Sequence, residues 1–427
     1  MKSEVMMCLL NLLQENSQVS DYKFNVLKKE SYELFYVKGK LETVRATDTC
    51  DRQVTVYVDH DGFRGDAQFY VYPSTTGEEL KEKLSEAVSN ALMIKNPPYT
   101  LPEAAEEEVT LESNLSAEPM PVLAGRIADL VFQANTLEGG SLNSVEVFLN
   151  RYTESISTSR GLQKTQHSLS AMVEAIPTFN GSRESVELYE QYNFSALDEA
   201  ALLREISDKM TAVKARYQAV KPDFPMDCKV ILHKQELSEF FTAFAEDLDY
   251  STVYNHGNCF KKGDALQADR KGDSLTLTMK GSVPGNVASA SFDGDGLALS
   301  EITLIEQGTV KNYFGSNRFG QYLQEKPTGN LGCLCVAPGS FSGLSGEKYL
   351  EVLSMSGLQV DFFNDYIGGE IRLAFYHDGE KTIPVTGISI AGKVSDVLNH
   401  LHLSAASVTF DSYTGPDTAM LEGLKIF

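Results

Sequence analysis

Apolar positions in the first half of the chain follow two different periods. Val5, Met6, Leu9, Leu10 and Leu13 share one face at helical spacing, which predicts an opening helix. Tyr32–Lys38, Val54–Asp59 and Gln68–Tyr72 then alternate β-branched or aromatic residues with polar ones and predict strands, with Asp59-His60-Asp61-Gly62 as a hairpin turn. Leu80, Leu84, Ala87, Val88 and Ala91 return to helical spacing and predict a helix from about Gly77 to Lys95. Val145–Asn150, Ser155–Ser159, Leu169–Thr178 and Ser185–Tyr192 read as a meander of strands with a turn at Asn180-Gly181. A helix from about Ala196 to Ala219 follows, with Leu202, Ile206, Met210 and Val213 along one side, and Pro222 and Pro225 end it.

Beyond Lys229 the pattern is mostly period two, broken by Gly-rich turns. Leu275–Met279, Ile302–Glu306, Gln359–Phe363, Glu370–Tyr376 and Ser407–Phe410 are the clearest strands, and Gln235–Leu248 and Val394–Leu401 are predicted helices. The change of pattern predicts two domains, an N-terminal α+β domain over residues 1–220 and a β-rich C-terminal domain over 221–427. Residues 96–121 stand apart. Pro97, Pro98, Pro102 and Pro121 bracket the acidic run Glu106–Glu108, so this stretch is expected to be a linker-like excursion.

At 427 residues with 42% hydrophobic and 22% charged positions, the chain can bury a large core and is not disordered in composition. Its formal charge of −22, with no basic run, opposes nucleic-acid phosphates and anionic membranes, so neither is expected as a partner. Glu4 and Asn11 interrupt the apolar run Met1–Leu13, no cleavage site follows it, and no stretch approaches the roughly 20 apolar residues of a membrane span. Six scattered cysteines (Cys8, Cys50, Cys228, Cys259, Cys333, Cys335) form no disulfide framework. A soluble, reduced, cytoplasmic protein is the expectation.

Four segments of the second half carry a family resemblance in order and spacing: Phe292-Asp293-Gly294-Asp295-Gly296, Ile305–Lys311, Lys326-Pro327-Thr328-Gly329-Asn330, and Asp378–Gly392 with its Pro384-Val385 and Ile390-Ala391-Gly392. Ser159-Arg160-Gly161-Leu162 adds a looser match in the first half. Together they resemble the TldD/TldE (PmbA) family of bacterial peptide-processing proteins. The resemblance implies an α/β N-terminal domain, a β-rich C-terminal domain, and assembly with a related subunit around an enclosed cleft. Catalytic members carry H-E-x-x-x-H on a helix after the first strand of the C-terminal domain, plus a distal Cys; the two imidazoles bind Zn²⁺ and the Glu activates water. Here that stretch is Glu239–Leu248, the His positions fall near Ala243 and Leu248 and the Glu near Phe244, and no Cys stands near Phe410–Tyr413. The chain thus resembles the TldE/PmbA branch without the zinc motif, and no catalytic residue, metal ligand or cofactor is expected.

Other constellations have plainer readings. Gly387–Lys393 matches the start of a phosphate-binding loop, but Val394 stands where the Mg²⁺-binding hydroxyl belongs, so a strand-to-helix turn is expected. His256-x-x-Cys259, His400-x-His402 and nearby His233 complete no four-ligand set. Asp293-x-Asp295 lacks the bidentate Glu of a calcium loop, since Leu304 holds that place. Phe240, Phe241, Phe244 and Leu248 are expected to pack in a core. The functional expectation is a non-catalytic subunit that pairs with a TldD-like metal-bearing paralogue, or with itself, and handles unfolded peptides. The alternatives are an independent hydrolase using Cys333 or Cys335, and a protein-binding regulator of the gyrase-modulator type.

Overall fold

The computed structural model describes residues 4–427, so the first three residues of the apolar N-terminal run lie outside it. The first half runs α1 (Glu4–Glu15), β1 (Asp21–Val37), β2 (Lys40–His60), β3 (Phe63–Tyr70), α2 (Gly77–Ala91), β4 (Glu106–Thr110), α3 (Met120–Gln133), β5 (Gly140–Thr158), β6 (Gln163–Phe179), β7 (Val186–Glu187), β8 (Glu190–Phe194) and α4 (Glu199–Gln218). Its strands make one sheet in the order β3-β2-β1-β5-β6-β4, with β7 and β8 also on β6. Several predicted short strands are parts of long ones. Tyr32–Lys38 closes β1, Val54–Asp59 closes β2, and both Val145–Asn150 and Ser155–Ser159 belong to β5. The charged middles of these ribbons hide their continuity from a pattern of apolar residues: Arg151 on β5 meets Glu30 on β1 at 3.0 Å.

Leu9 and Leu13 of α1 and Leu80, Leu84 and Val88 of α2 pack on Val54, Val56 and Val58 of β2. A capping box starts α2, the Thr76 side chain accepting from Glu79 N–H while Glu79 accepts from Thr76 N–H. Ile127 and Val131 of α3 and Ile206 and Met210 of α4 cover Val147, Leu149 and Val173 of β5 and β6. The sequence reading assigns no element to most of α3, and only its first two residues, Met120 and Pro121, fall inside the expected excursion. Pro is at home in a first helical turn, where its missing N–H costs nothing.

The linker-like reading of 96–121 also needs correction in its details. Glu106–Thr110 is strand β4, parallel to β6, with Glu107 against Lys164 at 2.9 Å and Glu108 against His167 at 3.2 Å. The proline segment before it is fastened to the second half of the molecule. Tyr99 and Leu101 are buried, Asn317 Nδ2 donates to Thr100 O at 2.7 Å, and Tyr322 Oη donates to Pro97 O at 2.8 Å. Partner charges and buried aromatics that lie far away in sequence hold what local composition marks as free.

The second half continues with β9 (Lys229–His233), α5 (Lys234–Asp247), α6 (Tyr250–Tyr254), β10 (Leu277–Lys280), β11 (Glu301–Glu306), β12 (Thr309–Val310), α7 (Asn317–Tyr322), β13 (Cys333–Val336), β14 (Tyr349–Met355), β15 (Gln359–Asp361), β16 (Tyr366–His377), β17 (Thr382–Val385), β18 (Ile388–Gly392), α8 (Val394–Asn399), β19 (His402–Leu403), β20 (Ser407–Phe410), β21 (Tyr413–Pro416), β22 (Thr418–Leu421) and β23 (Lys425–Ile426). Two sheets result: β12-β11-β10-β13-β21-β20, and β19-β22-β9-β14-β16-β18-β23 with β15 and β17 on β16. One large core holds them together around α5. Among the described residues no sheet joins the two halves, but α4 does so by packing: Ala212 and Val213 share a buried cluster with Leu373, and Val220 bridges Val385. The architecture is α+β, as the pattern predicts.

Candidate functional site

Helix α5 leaves β9 at His233 and crosses the C-terminal core. Phe240, Phe241 and Phe244 recur on its inner side and are completely buried, with Phe244 4.6 Å from Phe362 and 5.4 Å from Phe240, ring centre to ring centre. Leu248 caps the helix and is also fully buried, whereas Ala243 is half-buried. Ala243, Phe244 and Leu248, the positions that the resemblance aligns with a zinc motif, carry no side-chain atom that could ligate a metal. Among the described residues no three His, Cys, Asp or Glu side chains converge as a metal-binding group. The residues present do not fit a zinc ion at this helix. Asp247, which the pattern did not single out, is a buried acid on α5, but its carboxylate is occupied by the N–H groups of Cys259 at 2.6 Å and Phe260 at 3.0 Å.

Three of the segments that carry the resemblance, 292–296, 326–330 and 159–162, meet at the junction of the two halves. One oxygen of Asp293 accepts from the N–H groups of Asp295 and Leu297, both at 3.0 Å, and the other accepts from Asn330 N–H at 3.0 Å. Phe292 shares a small buried cluster with Ile156 and Leu162. At Gly296, with φ of +84°, an added Cβ would stand 2.6 Å from Leu162, so this turn closes only with glycine. Lys23 on β1 reaches across to Asp295 at 2.7 Å and to Gly294 O at 2.9 Å. Beside this junction lies a cavity of about 750 Å³ between β5, β6 and the loop 282–294. Uncharged polar groups such as Asn150, Gln166, Asn193 and Asn286 line much of it, and Gln166 Oε1 accepts both the N–H and the hydroxyl of Ser291.

The remaining candidates resolve individually. Ile388–Gly392 is strand β18, paired with β16 and β23, so its backbone N–H groups serve a sheet and do not cradle a phosphate. Cys333 is buried with Ser289 Oγ 3.6 Å away, and burial pushes its thiol up; burial likewise pushes Cys335 up to about 11. His233 and His377 each place Nε2 3.1 Å from Glu351. Two groups that sequence reasoning passed over line a second cavity: Glu236 and Tyr192. Glu236 could have been noticed, since it stands four residues before Phe240 and eight before Phe244, in phase with the buried stripe.

Fold and site define an α+β protein of two halves with large cavities at their junction and a helix, α5, whose inner side is packed into the core of the second half. Residues 225–426 match the family model for the PmbA/TldA metallopeptidase C-terminal domain. A Haemophilus influenzae protein named as a metalloprotease PmbA homolog is 24% identical over 191 residues, a stretch that spans 42% of this chain and 42% of that protein. The crystal structure of TldE from Thermococcus kodakarensis superposes with a TM-score of 0.78 at 15% identity, covering 98% of this chain and 99% of that one. A Thermotoga maritima protein described as a candidate modulator of a DNA gyrase superposes with a TM-score of 0.77 at 14% identity over the whole of both chains. By sequence the match is to this family's C-terminal domain, and over its whole length the chain shares the fold of TldE and of the Thermotoga protein.

Proposed function

We propose that this chain is the non-catalytic subunit of a heteromeric metallopeptidase that processes or degrades unfolded peptides in the cytoplasm. The observation that carries this reading is helix α5, whose Phe244 and Leu248 are built into the core where a catalytic relative would present a water-activating Glu and a zinc-binding His. The frame around that helix is intact, and held substrate is as necessary to catalysis as a metal. Strand β20 ends the six-stranded sheet and places Val408 and Phe410 in the wall of the second cavity, which suits an extended peptide added as a further strand. The hairpin of β1 and β2 ends in exposed Val37, Leu41 and Val44, an apolar tip suited to a partner subunit. Among the described residues no helix is long and apolar enough to cross a membrane.

The partner in this reading is a TldD-like, metal-bearing paralogue, with self-association as the other arrangement. The independent-hydrolase reading is weakened by Cys333 and Cys335, whose thiols burial keeps protonated. The test mixes this chain with a purified paralogue carrying H-E-x-x-x-H and measures mass and peptide turnover of each chain and of the mixture. The expected result is a complex with turnover above that of the paralogue alone and none from this chain. Turnover by this chain alone would overturn the reading, as would absence of any complex.

A further inference from the structure

Val147 and Leu149 of β5 lie under α3 and α4, so the alternate residues Phe148, Asn150 and Tyr152 leave the opposite face of the sheet and line the cavity of about 750 Å³ beside the loop 282–294. On the neighbouring strands Lys29 stands opposite Tyr152, Ser168 opposite Tyr152 and Ser170 opposite Asn150. Asn150 is 8% exposed, and neither atom of its amide makes a hydrogen bond. Its Oδ1 is sealed from solvent, which leaves Nδ2 as the amide atom open to the cavity. The other amides buried in this wall are engaged. Gln166 donates to Glu154 and accepts from Ser291, Asn193 donates to Asp411 at 2.9 Å, and Asn286 accepts from Ala288 N–H at 3.0 Å.

An amide buried without a partner costs stability that an apolar side chain of similar volume would not. Kept in the wall of a cavity, such a group is explained by what enters the cavity. Lys29 supplies a second donor close by, since it is the diagonal neighbour of Asn150 across β1 and β5, roughly 7–8 Å away. Its ammonium stands 5.7 Å over the Tyr152 ring and forms no ion pair among the described residues. The acids of the wall are Glu112, which is exposed, Glu154, which accepts from Gln166, and Asp293, which holds three backbone N–H groups. Three acids against one lysine disfavour a carboxylate, so the acceptor that suits Asn150 and Lys29 is a neutral carbonyl. The hydroxyls of Ser168 and Ser170 make no bond among the described residues and can accept an N–H beside it. A carbonyl next to an N–H is a peptide unit. Residues on one face of β5 repeat every 6.6 Å or so (about 3.3 Å per residue), the same repeat as an extended peptide lying along it.

We propose that Asn150 reads the main chain of an extended peptide in this cavity, its Nδ2 donating to a backbone carbonyl, with Lys29 as a second donor and the Ser168 and Ser170 hydroxyls as acceptors for the adjoining N–H. Recognition then falls on the backbone, which unfolded sequences share, and not on particular side chains. The peptide as ligand rests on the function proposed above; the unpaired donor in the cavity wall does not.

The test is calorimetric titration of the full chain with four probes: N-acetyl-Ser-Ala-Thr-Ala-Ser-amide, N-acetyl-Gly-Val-Asn-Val-Gly-amide, the first peptide with esters in place of its central amides, and maltose. Both peptides should bind with similar affinity, and the ester analogue, whose carbonyls are poorer acceptors, more weakly. Asn150→Leu should weaken both peptides by about fivefold, the worth of one net hydrogen bond, and Lys29→Met by a smaller factor. Thermal melts establish that the variants fold, and Asn150→Leu is expected to melt no lower than the native chain, because it removes an unpaired buried amide. Failure of both peptides to bind, binding of one and not the other, or equal binding by native and Asn150→Leu chains overturns the main-chain site. Equal binding of peptide and ester analogue by the native chain overturns it without any variant. The subunit reading, tested by complex formation and turnover, is untouched by these outcomes. Asn150-dependent binding of maltose without either peptide overturns the peptide as ligand.

Discussion

The carboxylate of Asp293 accepts the backbone N–H of Asn330 at 3.0 Å, joining two turns that lie 37 residues apart in the chain. Its other oxygen holds the N–H groups of Asp295 and Leu297, so one side chain organises both turns at the domain junction. Replacing Asp293 by Ala removes three acceptor bonds at once and leaves buried donors unmet, which should lower stability by about 2–4 kcal/mol. Asp293→Asn, which keeps one amide oxygen as an acceptor, should lose less. Urea unfolding of the three proteins checks the order, and an unshifted midpoint for Asp293→Ala would remove Asp293 from this role.

Glu236 makes stability fall as pH rises. Its folded-state pKa is raised from 4.5 to about 7, so the folded chain keeps a proton that the unfolded chain releases between those values. The favourable contribution is present below 4.5 and is lost as pH climbs through 7. The full difference is of order 3 kcal/mol. Glu236→Gln should therefore raise the melting temperature at pH 8 and change it little at pH 5. His233, Lys209 and Glu239 also face this group, and comparing the two proteins at matched pH holds their charges constant. An identical gap between variant and native at both pH values would contradict the assignment.

Phe244 supports the C-terminal core through Phe240, Phe260 and Phe362. Its replacement by Ala should cost about 3–5 kcal/mol, since a full ring leaves a cavity that close-packed neighbours fill only partly. Half-buried Ala243, one residue earlier, should tolerate Ser within about 0.5 kcal/mol. Chemical denaturation of both variants measures the contrast, and similar costs at the two positions would argue against a core role for Phe244.

With Cys335 pushed up to about 11, only about one thiol in several thousand is ionised at pH 7.5. Iodoacetamide should leave Cys333 and Cys335 unmodified in the folded chain and label both in urea, as read by mass spectrometry of the digested protein. Rapid labelling of either in the native state would revive the thiol as a nucleophile.

The elements that repeat a simple period were legible in the sequence. Helices α2 and α5 declare themselves because each buries one continuous face, and the predicted segments 302–306, 370–376 and 407–410 fall within strands β11, β16 and β20. Tertiary structure alone decided the rest. The acidic run Glu106–Glu108 becomes a strand because Lys164 and His167 stand opposite, and Pro97–Leu101 is held because Asn317 and Tyr322 reach back more than two hundred residues. In the same way Glu236 reads as one more polar residue near a helix start until the fold lays it against α4 and β8. Periodicity records what each element buries, but charge pairing and desolvation depend on which distant residues the fold brings within a few ångströms, and a linear pattern does not contain that distance.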